Sequence, residues 1–539
     1  MNRFGVVTTL LVVSLALPFA QPLQGQHEHP AGDPEKLGKV NFPVSCDAAL
    51  QPQFNGAVAM LHSFWYEKAT DAFAAIAKAD PACGMAYWGL AMTYYHPIWE
   101  APGPAALKDG WAAVEKGKTV GAKTQRERDY IAAIELFYED SDKIDYQPRA
   151  LAYEKAMEQL QARYPDDSEA AIFHALSLLG AASPTDKTYA NQKKAGEILE
   201  KIFVAQPDHP GVAHYIIHAY DYPPLAQRAL DAARRYAKIA PDSPHALHMP
   251  SHIFTRLGLW QESIDSNLAS AAAAKKFNAP GNELHAKDYA VYAYLQEGQD
   301  REAKNMLDTF PLPLKDDPQY FNGLYATGTS AARYAVERHR WAEAAALAVP
   351  ANTFPGGRYS WTEANIHFAR ALGAAHLGDA GVAQNELRQL ASLRETLVQL
   401  NDKYWADQLQ IQSETATAWL TLAQGNSQEA LQQMRQAADH EDRTDKHSIT
   451  PGVILPAREL LGDMLLELKQ PAPALVEFEA TLGTAPNRFN ALSGAAHAAE
   501  LSGDNAKART YYAKLLTLCD HADGDRPELK AAQTFLAQR

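Results

Sequence analysis

A short pattern recurs at intervals of about 34 residues and constrains the fold more than any other feature of the chain. Each copy has an alanine, a second apolar residue four positions later and a proline eight positions after that. Clear copies are Ala69, Phe73 and Pro81, then Ala195, Leu199 and Pro207, and finally Ala474, Phe478 and Pro486. The small alanine admits a close neighbouring helix, and the proline ends one helix before the next begins. The pattern predicts stacked pairs of short helices that form an all-α solenoid.

Composition and charge agree with this prediction and exclude one class of function. Alanine is abundant among the 539 residues, and no alternating apolar pattern persists long enough to indicate a sheet. The formal net charge of −14 argues against a protein that follows a phosphate backbone, which needs basic surfaces. We therefore expect no nucleic-acid partner.

The chain resembles the exported bacterial tetratricopeptide-repeat (TPR) proteins over nearly all of its mature length. Three segments carry the resemblance, namely 83–89 (CGMAYWG), 245–252 (HALHMPSH) and 456–462 (PARELLG). The resemblance implies a TPR helical solenoid and, because such repeats mostly hold partners, a protein or peptide partner in the concave groove. It implies no particular activity, because a fold alone does not determine function.

The first residues predict export. A basic start at Arg3 is followed by a mostly apolar run at 6–20 and a polar step at 21–26, which is typical of a secretory signal peptide. Cleavage after Ala20 and after Gly25 are both compatible with the pattern, and an uncleaved membrane anchor is the alternative. No second apolar run reaches membrane length, so we expect no membrane span after cleavage and a periplasmic or secreted protein.

The predicted organisation has four parts. Residues 1–25 are the signal peptide, 26–52 an N-terminal strap, 53–310 an N-terminal TPR block with a histidine-lined groove, and 311–539 a C-terminal TPR block. The proline-rich segment 312–318 is the expected hinge between the two blocks of repeats. The polar connection that holds Glu441, Asp442 and His447 is expected to be a solvated loop.

Three cysteines follow the predicted signal peptide. Because oxidising surroundings favour disulfides, we expect Cys46 and Cys83, which flank the first repeat, to be bridged. Cys519 would then be a buried thiol. Three free thiols are the alternative, since sequence alone does not determine pairing.

Two pairs of histidines occupy the same places in successive repeats. His214 and His218 lie four residues apart, and His248 and His252 repeat that spacing 34 residues later. Residues four apart share a helix face, so both pairs are predicted to point into the concave groove. The neighbouring places on that face hold His245, His285 and Asp288. Pro250 lies between His248 and His252 and could kink the helix and spoil the shared face.

This arrangement predicts a site for a divalent transition metal. Imidazole is the commonest metal ligand in proteins, and side chains from neighbouring helices could share one ion. The alternatives are histidines that line the groove as hydrogen-bonded polar groups, or that recognise an acidic peptide or glycan without metal.

Two functions follow from these patterns. The first is a non-enzymatic binding or scaffold protein with a metal site in its groove. The second is a metal-dependent enzyme that uses the same histidines and keeps one position on the metal for water. The sequence favours the first, because beyond Asp288 it offers no obvious general base and no catalytic motif.

Overall fold

A computed structural model describes residues 36–98, 101–310, 321–349 and 356–538. The predicted signal peptide, the start of the strap and the predicted hinge at 312–318 lie outside these residues. Within the described residues the regular structure is entirely helical and contains no strand, so the prediction of an all-α fold is confirmed.

Thirteen of the described helices lie in the N-terminal half. They are α1 (Gln51–His62), α2 (Tyr66–Ala79), α3 (Gly84–Thr93), α4 (Pro104–Val120), α5 (Gln125–Tyr138), α6 (Tyr146–Arg163), α7 (Ser168–Gly180), α8 (Ala190–Ala205), α9 (Pro210–Tyr220), α10 (Leu230–Ile239), α11 (Pro244–His248), α12 (Pro250–Leu257) and α13 (Trp260–Lys276).

Thirteen more follow in the described C-terminal half. They are α14 (Pro280–Gln296), α15 (Asp300–Leu307), α16 (Phe321–Val336), α17 (Trp341–Ala345), α18 (Ser360–His376), α19 (Ala380–Gln399), α20 (Lys403–Ala423), α21 (Ser427–Glu441), α22 (Ala457–Glu467), α23 (Pro471–Thr484), α24 (Phe489–Leu501), α25 (Asn505–Leu518) and α26 (Pro527–Ala537).

Each helix packs mainly on the helices before and after it in the chain, which is the connectivity of a helical solenoid. The described residues from 36 onwards form one compact unit. Inside it, one large hydrophobic cluster spans residues 42–254 and another spans 284–535, with a smaller cluster around Trp260.

The recurring pattern works through contacts between small and aromatic residues. Phe73 on α2 packs against Gly89 on α3, and Phe478 on α23 packs against both Gly462 and Gly494. A Cβ atom added at Gly89 would lie 2.3 Å from Cδ1 of Phe73. The glycine therefore lets the paired helices approach closely, as expected for a repeat of the TPR type.

We expect Gly89→Ala to destabilise the protein, because the new methyl group overlaps a fully buried ring in the first repeat. Overpacking of this kind costs about 1–3 kcal/mol, which a urea unfolding curve measures. Gly56→Ala is the matched control, since an added Cβ there meets no atom within 4 Å in helix α1. The control should be neutral or gain up to about 1 kcal/mol. Equal midpoints for the two variants would contradict this account of the repeat.

Candidate metal centre

Six histidines from four helices converge in the interior of the described structure. Helix α9 contributes two, α11 two, α12 one and α14 one, and every one of them is at most 5% exposed. They fall into two sets of three, and within each set the three ligand nitrogens lie within 4.8 Å of one another. We call these the first triad (His214, His218 and His245) and the second triad (His248, His252 and His285).

Pro250 does not spoil the shared face of the second pair. It interrupts the hydrogen bonding between α11 and α12, but Met249 keeps helical angles of φ −52° and ψ −35°. The backbone direction is therefore preserved, and Nε2 of His248 lies 3.0 Å from Nε2 of His252. The four-residue spacing brings these rings together despite the missing backbone donor.

The hydrogen bonds behind His248 and His252 place two ring lone pairs face to face. His248 Nδ1–H donates to Oδ1 of Asn267 at 2.7 Å, while the amide nitrogen of Asn267 donates to the Ser263 carbonyl. His252 Nδ1–H donates to Oδ2 of Asp221 at 2.9 Å. With both Nδ1 atoms protonated, the opposed Nε2 atoms of the neutral rings each carry a lone pair. A cation between them would remove this repulsion.

The first triad has a similar arrangement around His214. Its Nδ1–H donates to the carbonyl oxygen of His62 at 2.6 Å, which leaves a lone pair on Nε2. That Nε2 atom lies 3.1 Å from Nε2 of both His218 and His245. One lone pair accepts one hydrogen bond well, whereas a metal ion would engage all three nitrogens.

Burial keeps these imidazoles in the form that binds metal. Removal from water is the main cause that lowers the pKa of each, and it brings the pKa of His214 to about 3. For the other five the pKa also falls, with neighbouring histidines adding to the effect in both triads. The rings are therefore neutral at pH 7, and in the second triad, where both Nδ1 atoms hold the proton, none remains to bridge the Nε2 atoms of His248 and His252.

Asp221 anchors the second triad from outside. Burial would raise the pKa of this carboxyl group, but Lys446, Arg256 and His252 hold it well below its usual range. It is therefore an anion that accepts the proton of His252 Nδ1. A carboxylate behind a histidine fixes the ring and increases its basicity, which is the usual support for a metal-bound histidine.

The histidines are enclosed, contrary to the prediction that they line an open groove. The ring of Phe64 packs against His214, with centroids 4.4 Å apart, and Tyr289 packs against His248. Residues 442–456, which join α21 to α22 and which we call the covering loop, close the site. Lys446 Nζ lies 2.8 Å from Oδ2 of Asp221.

Further contacts hold the covering loop in place. Tyr289 donates a hydrogen bond to the Thr450 carbonyl, and Arg333 donates one to the Gly452 carbonyl. The chain itself thus fills the inner surface that the repeat pattern assigns to a partner. This contribution has no signal in the sequence, because the loop lies about 160 to 240 residues after the histidines and carries no metal-ligand motif.

Asp288 is placed apart from the two triads. Its Oδ1 accepts a hydrogen bond from Ser330 on α16, and it belongs to neither histidine group. Burial raises its pKa, against the opposing effect of Arg333. The neighbouring helix α16 engages this carboxyl group, although the repeat register places it beside His285.

A second buried cluster, formed by His62, His209 and Glu169, has a hydrogen-bond partner for each of its ring nitrogens. Tyr215 donates to His62 Nδ1, and Val212 N–H donates to His209 Nδ1. Both Nε2–H groups then donate to the carboxylate of Glu169, each at 3.0 Å. Burial alone would raise the pKa of Glu169, but the two histidines bring it to about 2. Every polar atom named here has a partner without a metal.

The structure joins Cys46 to Cys83 by a disulfide, with their Cα atoms 4.8 Å apart. The bridge connects Cys46 in the strap to Cys83, the residue that directly precedes α3. Cys519 is a buried free thiol.

Comparison with known proteins identifies no family. No family model and no curated protein matches the chain. Among solved structures, Naa15/Naa10 bound to HypK-THB aligns over 90% of this chain and 73% of its own, at 12% identity and a TM-score of 0.25. The human IFIT1 dimer with m7Gppp-AAAA aligns over 81% and 90%, at 10% identity and a TM-score of 0.36. At such scores the fold assignment rests on the packing of this chain's own helices.

Among the described helices, none combines the length and the apolar character that a membrane crossing requires.

Proposed function

We propose that this chain is a helical-solenoid protein that binds a divalent transition metal through its buried histidines. The observation that carries the proposal is the pair of opposed Nε2 lone pairs of His248 and His252, 3.0 Å apart and shielded from water. Leaving buried polar atoms unsatisfied in this way costs free energy, whereas a metal ion accepts both lone pairs. The satisfied cluster around Glu169 lacks this feature.

The donor atoms restrict the class of metal. Imidazole nitrogen suits zinc, copper, nickel and iron, while calcium and magnesium prefer oxygen ligands. Neither triad contains a carboxylate or a sulfur atom. We therefore propose a first-row transition metal, with copper and zinc the tightest-binding candidates by the general order of affinities.

The proposal includes export to the periplasm or outside the cell. Support comes from the signal-like start of the sequence and from the Cys46–Cys83 disulfide, a bond that persists in oxidising compartments. A protein or peptide partner is also part of the proposal, because repeat solenoids commonly hold partners. Such a partner would bind away from the triads, since Phe64 and the covering loop occupy that face.

A metal-dependent enzyme is the second candidate. Each triad offers three protein ligands, and a tetrahedral ion such as Zn²⁺ held by three histidines keeps its fourth position open for water or substrate. This favours an enzyme. A cleft lined in part by Tyr189, Arg256 and Lys446 reaches the outer side of the Asp221 contact. Loss of a hydrolytic or redox activity on chelation, with recovery on adding metal, would support this function over simple binding.

The proposed function predicts that purified protein contains a transition metal that a strong chelator removes. Returning Zn²⁺ or Cu²⁺ to the stripped protein should raise its thermal midpoint, since a ligand that binds only the folded state stabilises it. A free concentration 100 times the Kd contributes about 2.7 kcal/mol. Ca²⁺ and Mg²⁺ serve as controls and should leave the midpoint unchanged. Protein that lacks metal, and whose midpoint responds to none of these ions, would overturn the proposal.

A further inference from the structure

The six histidines are arranged as two sets rather than as one shell. In the first, His214 is the central ring, with His218 and His245 centred 4.8 and 4.9 Å from it. In the second, His248 is central, with His252 and His285 centred 4.9 and 4.3 Å away. Each central ring therefore has its own two partners, and each set supplies the three imidazoles that a catalytic-type zinc or copper site uses.

The two sets are neighbours. The ring centroids of His218 and His252 are 6.1 Å apart, and those of His245 and His248 are 6.2 Å apart. The outer rings within each set are about equally far apart, at 6.4 Å for His218 and His245 and 6.3 Å for His252 and His285, so it is the ligand nitrogens that define the two sets. Two nitrogens bound to one ion at about 2.1 Å each are separated by at most about 4.2 Å. The central Nε2 of the first triad lies 3.1 Å from both of its partners, and that of the second lies 3.0 Å from His252, which is within this limit. All three ligand nitrogens of each triad lie within 4.8 Å of one another, so small shifts of the outer rings would bring them onto one ion.

Each set also has its own outer support. The His62 carbonyl orients His214 in the first triad, while Asn267 and Asp221 orient His248 and His252 in the second. Outer hydrogen bonds of this kind fix the tautomer of each metal-binding ring. The two central rings, His214 and His248, are thus oriented by different hydrogen-bond partners, as expected if each binds its own ion.

We infer that the six histidines hold two metal ions side by side, three imidazoles to each, so that the site is a two-metal centre. The inference rests on the proposed function and adds its stoichiometry and the composition of each ligand set.

Lys446 lies behind the second set, with its Nζ 2.8 Å from Oδ2 of Asp221, the oxygen that also accepts the proton of His252 Nδ1. Its positive charge helps to lower the pKa of His218 in the first triad and of His248, His252 and His285 in the second. Because the six imidazoles are neutral and Lys446 is a cation, bound divalent ions would need anions in their open coordination positions, and metal-bound water would supply hydroxide near neutral pH.

The test is a titration of the stripped full-length protein with Co²⁺ and, separately, Zn²⁺, with the bound metal counted after dialysis against metal-free buffer. We expect saturation at two ions per chain. Saturation at one ion would overturn the two-metal centre and leave the proposed function standing. Absence of retained metal would overturn both.

Single variants assign the ions to the two sets. We expect His245→Ala and His285→Ala each to retain one ion, because each removes a ligand from one triad only. His497→Ala is the control, since this exposed histidine on α24 lies outside both triads, and it should retain two ions. The wild-type titration measures the stoichiometry by itself, so a variant that fails to fold leaves that measurement intact. Folded His245 and His285 variants that each retain two ions would overturn the assignment.

Discussion

Replacing His218 and His252 together by alanine is expected to abolish stoichiometric metal binding. The double variant removes one imidazole from each triad and leaves two protein ligands in each. It also removes the ring that Asp221 orients. Metal analysis of the purified variant should find no retained ion, while far-ultraviolet circular dichroism should show the helical content of the wild type.

The control for this experiment removes two histidines from the other half of the chain. His367 pairs with Glu386, and His376 stacks on Trp341, so both are packed against neighbours but lie outside the triads. The double variant His367→Ala, His376→Ala should keep the metal content of the wild type. Unchanged metal content in the His218, His252 variant would show that the triads are not the binding site.

Arg488→Ala is expected to have the largest effect on stability. This fully buried arginine donates to Glu337, which directly follows α16, at 3.0 Å and to Glu459 on α22 at 2.8 Å. It also donates to the hydroxyl group of Tyr292 on α14. Its removal would leave two buried carboxylates unpaired, and breaking a buried ion pair costs about 3–5 kcal/mol. The free energy of unfolding in urea measures the loss.

A surface pair provides the comparison for Arg488. Arg234 and Glu262 are joined at 2.8 Å with side-chain exposures of 52% and 38%. Because water and salt screen such a pair, Arg234→Ala should cost less than about 1 kcal/mol. A loss at Arg488 no greater than at Arg234 would mean that the buried network does not hold α14, α16, α22 and α24 together.

The helical architecture is predictable from the sequence because its signals are local. A glycine opposite an aromatic ring recurs in several units, as Gly89 with Phe73, Gly196 with Tyr220 and Gly462 with Phe478 show. The spacing of His214 and His218 likewise needs only the period of one helix. The prediction of a solvated connection after α21 holds for Asp442, which is exposed, but not for the buried Thr450 or the enclosed Lys446 side chain, whose contacts come from distant parts of the chain.

Glu441 and the residues after it are polar, and their composition favours a solvated loop. In the structure Glu441 is half-buried, removal from water raises its pKa to about 7, and its Oε1 accepts the backbone N–H of Ala457. Composition reports the polarity of a segment but not what other parts of the chain pack against it.

The sequence by itself determined that this chain is a helical repeat protein and that four histidines share equivalent places in successive repeats. Both follow from periods of 3.6 and about 34 residues, which depend only on neighbours along the chain. Only the tertiary structure decided that six histidines form two triads, that Asp288 turns to Ser330 and that Lys446 closes the site. These features depend on contacts between residues up to 225 positions apart. Such contacts are set by how the stacked helices curve and pack, and no local period encodes that geometry.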